Sequence, residues 1–213
     1  VERTYNGSPV LEVAIIGGGM AGLSAAGALQ LLGVQALVFD KSPEGFEGPW
    51  VTTARMETLR SPKQLTGPAL GIPSITFRAW YECQFGLSAW DELDKIPRLQ
   101  WMDYLRWYRK VLKLEVLNLH EVKKVQPRAD QLVELHIQSP TGLQTVYARR
   151  LIMATGRDGL GGAYLPEIAK TIPDHYWAHS SDAFDYSTLR NKRVGVVGAG
   201  ASAMDSAATA LEE

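Results

Sequence analysis

Apolar residues fall into short blocks along this chain, and their spacing changes from continuous to alternating to helical. Residues 11–16, LEVAII, form a branched apolar run. It ends in GGGMAG and passes into SAAGALQLLG, a stretch of helical composition stopped by Gly33. VQALVFD, residues 34–40, reads as a second buried strand, which completes a β-turn-α-β unit. Residues 41–79 are rich in Pro and Gly, from Pro43 to Pro73, and are expected to form an ordered excursion with little regular structure. Residues 74–90 and 97–113 look helical, with Pro97 suited to a first turn.

Three strand-like pieces follow at 114–119, 121–127 and 131–138. In the third, Val133, Leu135 and Ile137 alternate with Leu132, Glu134 and His136, as in a two-faced antiparallel hairpin. The turn SPTG (139–142) leads into QTVYARRLIMATG (144–156), whose LIMA run reads as a strand returning to a buried parallel sheet. Residues 157–190 are polar and hold several Gly and Pro. After them, KRVGVVGAGASAMDSAATALEE repeats the opening order of strand, glycine turn and small-residue helix. The expected fold class is therefore α/β. A Rossmann-like doubly wound domain with an antiparallel β insertion spans 1–160, a linker spans 161–190, and a second Rossmann-type unit begins at 191–213.

The first glycine turn is Gly17-x-Gly19-x-x-Gly22. In such a turn the first glycine permits the tight exit from the strand, the second lets the backbone approach a pyrophosphate, and the third lets helix pack on strand. The anion then lies over free N–H groups at the helix N-terminus. Asp40 closes the next strand about 20 residues on, where a ribose-binding carboxylate belongs. The second turn, Gly198-x-Gly200-x-x-Ala203, uses the permitted alanine variant. There Ser202 is a candidate donor to a phosphate, while Asp205 reads as an early-turn carboxylate beside the helix dipole. The chain ends 13 residues after Gly200. That is too short for a whole mononucleotide-binding unit, so a longer protein is expected.

Composition narrows the classes. The 213 residues carry a net charge of −1, and 46% are hydrophobic, as in a globular protein with a real core. The near-neutral balance argues against nucleic-acid binding, and no apolar run is long enough to span a bilayer. The opening VERTYNGSPV lacks the pattern of a secretory signal, although a chain starting at Val1 is compatible with an upstream segment. Cys83 is the single cysteine, which excludes an internal disulfide, a C-x-x-C pair and a Cys-rich zinc site. No metal is expected, and the cytoplasm is the default compartment. WMDYLRWY (101–108) reads as a core helix with amphipathic rings at its edge.

GGGMAG, GPW at 48–50, ATG at 154–156 and GAGASAMD at 198–205 occur in the order seen in flavin-containing monooxygenases, and the chain resembles that family over nearly its whole length. These are class B flavoprotein monooxygenases, related to the Baeyer–Villiger and amine N-hydroxylating enzymes. The resemblance implies an enzyme that uses FAD and NADP (or NAD), with a small-molecule substrate and O2 as partners. Reduced flavin would oxygenate the substrate through a C4a-(hydro)peroxyflavin. FAD would be held by Gly17, Gly19, Met20, Ala21 and Gly22, with Asp40 and the adjacent Lys41 near the adenosine ribose. Trp50 would lie near the flavin or else be a buried aromatic of a loop-rich region. Val122 or Val125 would meet the adenine, and Thr155 and Gly156 would mark the strand end where the chain crosses over. Gly198, Gly200, Ser202 and Ala203 would hold the second dinucleotide.

The sequence departs from the family in two places. Arg60-Ser61 stands where an Asn is common. Pro173 and His175 replace the Phe and Gly of F-x-G-x-x-x-H, of which only His179 matches. His179 accordingly reads as a hydrogen-bonded linker residue. No acid–base dyad stands out, so no catalytic residue is assigned. A pyridine-nucleotide-disulfide reductase type shares both glycine turns but needs a cysteine pair. A flavin-binding module without turnover is the non-enzymatic alternative.

Overall fold

The computed structural model describes residues 4–5 and 7–213, with the backbone alone at 158 and 160. Its centre is a sheet whose strands run in the order β4 (Val116–Leu117), β3 (Ala36–Phe39), β2 (Ser8–Ile16), β7 (Gly142–Met153), β6 (Val133–Ser139), β5 (Glu121–Pro127). A short β1 (Thr4–Tyr5) pairs antiparallel with the start of β2. The first four strands of that order are parallel, and β7, β6 and β5 form an antiparallel meander.

β7 joins the two halves. Its first part pairs with β6 in a hairpin closed at Ser139↔Gly142, and its second part runs parallel to β2 from Tyr147 to Met153. One strand thus begins as an alternating, two-faced ribbon and ends as the apolar LIM run, the change of pattern that the sequence carries.

Alternate residues of β2 serve opposite faces, as the pleat requires. Val13 and Ile15 belong to a large cluster on the helical side. Ala14 lies in a smaller cluster with Phe39, Leu135, Ile137 and Ala148. The helical side is built by α1 (Met20–Leu31), α2 (Phe77–Phe85), α3 (Leu87–Glu92) and α4 (Arg98–Leu112). Its core is aromatic: Phe77, Trp80, Tyr81, Trp90, Trp101, Tyr104 and Tyr108 are all buried there.

Three sequence expectations need correction. The helix expected over 74–90 is two helices, because Gly86 adopts φ +90 and breaks it; a 3-10 turn (Pro73–Ile75) precedes the first. The strand expected over 114–119 shrinks to Val116–Leu117, since Leu119 turns the chain with φ +58. The strand expected in RVGVV (193–197) does not form, although the helix after it does, as α5 (Ala201–Glu212). A helix satisfies its own backbone, whereas a strand needs a neighbour. No strand among the described residues pairs with 193–197.

Candidate functional site

The site grows from the turn between β2 and α1. Gly17 takes φ +103, and a methyl group there would sit 2.3 Å from the Ala154 carbonyl oxygen. A methyl at Gly22 would sit 1.8 Å from the Gly17 carbonyl oxygen. Both positions are therefore glycine because the protein's own backbone fills the space. Gly19 differs. A methyl there would meet nothing nearer than the Gly48 Cα at 3.8 Å. The protein's own packing does not require glycine at position 19: a Cβ there would stand in ordinary contact with the Gly48 backbone, at the mouth of the cradle formed by the turn and the N-terminus of α1. Gly19 also caps α1 without a side-chain hydrogen bond, and no acidic residue occupies the first turn. The first N–H groups of that helix are thus left for an anion.

Asp40 stands beside this turn and is buried, 7% exposed. Its Oδ2 accepts the Gly18 N–H at 2.6 Å and its Oδ1 accepts the Ser42 N–H at 2.7 Å. The carboxylate therefore ties the glycine turn to the loop that leaves β3. Gly17 donates to the Phe39 carbonyl at 2.8 Å, and Ala154 donates to Ile16 at 2.8 Å. The ATG strand end thus abuts the turn. Thr155 carries a buried Oγ1 with no partner among the described residues, and Gly156 takes φ +74 in open space.

The remaining candidates are placed as follows. Lys41 is exposed. Trp50 is half-buried and meets Trp101 edge-on at 6.2 Å, and Arg98 donates to the Trp50 carbonyl and to that of Met56 at 2.9 Å. Burial and the nearby Arg55 lower the Arg98 pKa from its usual value. Val125 lies on the outer strand β5 and packs, like Val122, against the smaller core cluster. Gly198, Gly200, Ser202 and Ala203 form a second turn in which Gly200 caps α5 and has nothing near it. Asp205 of α5 pairs with Arg60 at 2.5 Å. His179 is held in the linker, its Nδ1 accepting the Ser181 N–H at 3.1 Å and its own N–H donating to Asp182 at 2.7 Å.

Sequence reading missed one group. Glu47, 5% exposed, accepts from Gly45 N at 2.9 Å, Arg109 Nη1 at 2.8 Å and Asn118 Nδ2 at 2.6 Å. These residues come from a loop, a helix and a strand end, so no local motif announces them.

Fold and turn together define a dinucleotide-binding α/β protein. The chain belongs to the pyridine nucleotide-disulphide oxidoreductase family, whose profile matches residues 14–213. It is 48% identical, over 99% of its length, to a FAD-dependent urate hydroxylase of Xanthomonas campestris pv. campestris, and spans 45% of that relative. A FAD-bound cadaverine monooxygenase from Erwinia amylovora superposes with a TM-score of 0.74 at 18% identity, over 95% of this chain and 48% of that one. An ornithine N-hydroxylase of Kutzneria sp. 744, solved with NADP+, gives 0.69 at 21%, over 96% and 51%. At those identities the likeness shows the fold alone. A flavin-containing monooxygenase from Stenotrophomonas maltophilia gives 0.55 at 26%, over 74% and 41%. In total, 514 solved chains match this one.

Proposed function

We propose that this chain is the FAD-holding part of an NAD(P)H-dependent flavin monooxygenase, and that the substrate is urate or a purine closely like it. The carrying observation is Gly19: a glycine that the fold's own packing does not need, at the uncapped N-terminus of α1, suits the close approach of a pyrophosphate. The substrate class rests on the identity to the urate hydroxylase across nearly the whole chain.

In this reading Gly17, Gly19, Met20, Ala21 and Gly22 cradle the FAD pyrophosphate, and N–H groups of the turn bind it. Asp40, whose oxygens already accept two backbone N–H groups, is fixed where a spare lone pair can take a ribose hydroxyl. Lys41 flanks it, Val125 is the candidate adenine contact, and Trp50 faces the flavin side from its loop. Thr155 and Gly156 mark the crossing strand end, and the Thr155 hydroxyl gains a partner that it lacks among the described residues. Residues 1–160 hold FAD, 161–190 link, and 191–213 open the NAD(P) unit through Gly198, Gly200, Ser202 and Ala203. When bound, FAD supplies hydride acceptance from NAD(P)H and activation of O2, with one oxygen atom going to substrate and the other to water. The protein orients the reactants and keeps water away. The 48% identity to a hydroxylase is what favours this reading over the reductase alternative. The lone Cys83, exposed on α2, suits a cytoplasmic protein.

The test is turnover by the full-length protein in aerated buffer with NADPH or NADH. Urate is expected to speed NAD(P)H oxidation and to disappear mole for mole with it. Oxidation that yields equimolar peroxide and leaves urate untouched would overturn the substrate assignment.

A further inference from the structure

The buried Glu47 cluster adjoins the first glycine turn and holds the loop that packs against it. Three donors converge on the Glu47 carboxylate: the Gly45 N–H on Oε2, and Arg109 and Asn118 on Oε1. Only an acceptor-only group satisfies all three, which explains a carboxylate in so buried a place. Arg109 also donates to the Asn118 side-chain oxygen at 3.0 Å and the Val116 carbonyl at 3.0 Å, and lies 3.8 Å from Glu44. Asn118 in turn donates to the Ser42 carbonyl at 3.1 Å. Arg106, one turn earlier on α4, donates twice to the Gly45 carbonyl, at 2.7 and 3.2 Å.

The loop so held is otherwise anchored mainly at its two ends, by Ser42, which donates to Asp40 at 2.7 Å, and by Thr52, which donates to the Gly48 carbonyl at 3.1 Å. It contains Pro43, Gly45 and Gly48, and its one large apolar residue, Phe46, is 46% exposed. A buried ion pair contributes little net stability against an apolar substitute, but removing one partner leaves the other charge buried and unpaired. The residue that follows Glu47 is Gly48, whose backbone lies directly against Gly19 at the turn. Between the loop and the turn lies a small cavity of about 40 Å³, lined by Gly18, Glu47, Met102, Arg106 and Arg109 among others.

We infer that the Glu47–Arg109–Asn118 cluster is a clamp that positions Gly48 over Gly19 and so sets the affinity for the ADP half of the flavin dinucleotide. Glu47 and Arg109 are positioning residues. They act through the loop backbone, not on the reacting atoms. The inference rests on the FAD reading above.

The experiment is titration of the flavin-stripped, full-length protein with FAD and, separately, with ADP, for wild type and Glu47→Gln. An amide turns one acceptor into a donor aimed at another donor. FAD and ADP binding are both expected to weaken, by about tenfold or more and by the same factor. The apoprotein should keep its circular dichroism. Where Glu47→Gln fails to fold, the double variant Glu47→Met/Arg109→Met removes both charges together and takes its place in the same titrations. FAD affinity within about twofold of wild type in the folded variant would overturn the clamp, as would loss of FAD affinity with ADP affinity unchanged. Wild-type protein that takes ADP but no FAD would sink the FAD reading alone, and the ADP titration would still judge the clamp.

Discussion

The two glycine turns have nearly the same sequence and quite different structures. The first lies among three parallel strands, with Gly17 bonded to β3 and pressed against the end of β7. The second has its helix, α5, but no strand among the described residues: Val194, Val196 and Val197 are 44%, 41% and 82% exposed. α5 buries none of its residues, whereas α1 buries Gly22, Leu23, Ala26 and Gly27. A helix closes its hydrogen bonds within itself, so small-residue composition suffices to make one. A strand and the turn it feeds are properties of the sheet. Among the described residues, parallel neighbours press the first turn from both sides and leave the second bare.

The sharpest way to break this comparison is a methyl group in each turn. Gly22→Ala places a Cβ against the Gly17 carbonyl with no flexible atom to yield. A loss of more than about 3 kcal/mol, or failure to fold, is expected in urea unfolding. Gly200→Ala, at the second turn, meets open space, and its unfolding midpoint should stay within about 0.5 kcal/mol of wild type. Equal losses in the two variants would mean that both turns are equally packed.

The middle glycine separates packing from binding within the first turn. Gly19→Ala has room in the protein and takes an ordinary backbone conformation, φ −71. It should cost at most about 1 kcal/mol of stability, the scale of an N-cap exchange. FAD binding, measured by flavin fluorescence, should nevertheless weaken about tenfold or more, because the methyl keeps the pyrophosphate from the backbone at the N-terminus of α1. A variant that binds FAD as wild type does would remove the argument that Gly19 is glycine for a ligand's sake.

How much of this was legible beforehand follows the same physics. The β-α-β opening, the hairpin and the return through LIM all announce themselves by local period, and the structure has them at β2, α1, β3, β6 and β7. The Gly86 break was harder to read, because a lone glycine within an apolar helical stretch gives no sign of whether it will adopt φ +90. RVGVV carried the pattern of a buried strand, but pattern cannot supply a partner strand. Glu47 was not legible at all. It sits in a Pro- and Gly-rich loop where a carboxylate reads as solvated, and its partners Arg109 and Asn118 are 62 and 71 residues away. Polar clusters assembled by tertiary structure leave no periodic trace.

The smallest expected effect concerns what holds α1 down where α5 is bare. Tyr108 of α4 packs under α1, with its hydroxyl oxygen 2.8 Å from where a methyl on Gly27 would lie. That hydroxyl is buried and has no hydrogen-bond partner among the described residues. Tyr108→Phe removes an unpaired polar atom and should gain about 1 kcal/mol, which raises the melting temperature by about 2–4 °C. The same burial gives the support of α1 a pH limit. It pushes the Tyr108 pKa up to about 12, against about 10 in the unfolded chain. The folded state therefore keeps a proton that the unfolded state gives up. Stability is complete below about pH 10 and drains away as the pH rises towards 12. Tyr104, which donates to the Ile75 carbonyl at 2.7 Å, is raised as well, by burial first and Tyr108 second. Melting temperatures from pH 9 to 12 should fall less steeply in Tyr108→Phe than in wild type, yet still fall because Tyr104 remains. Identical slopes would mean that Tyr108 ionises freely, and that α1 is held less tightly than the contrast with α5 implies.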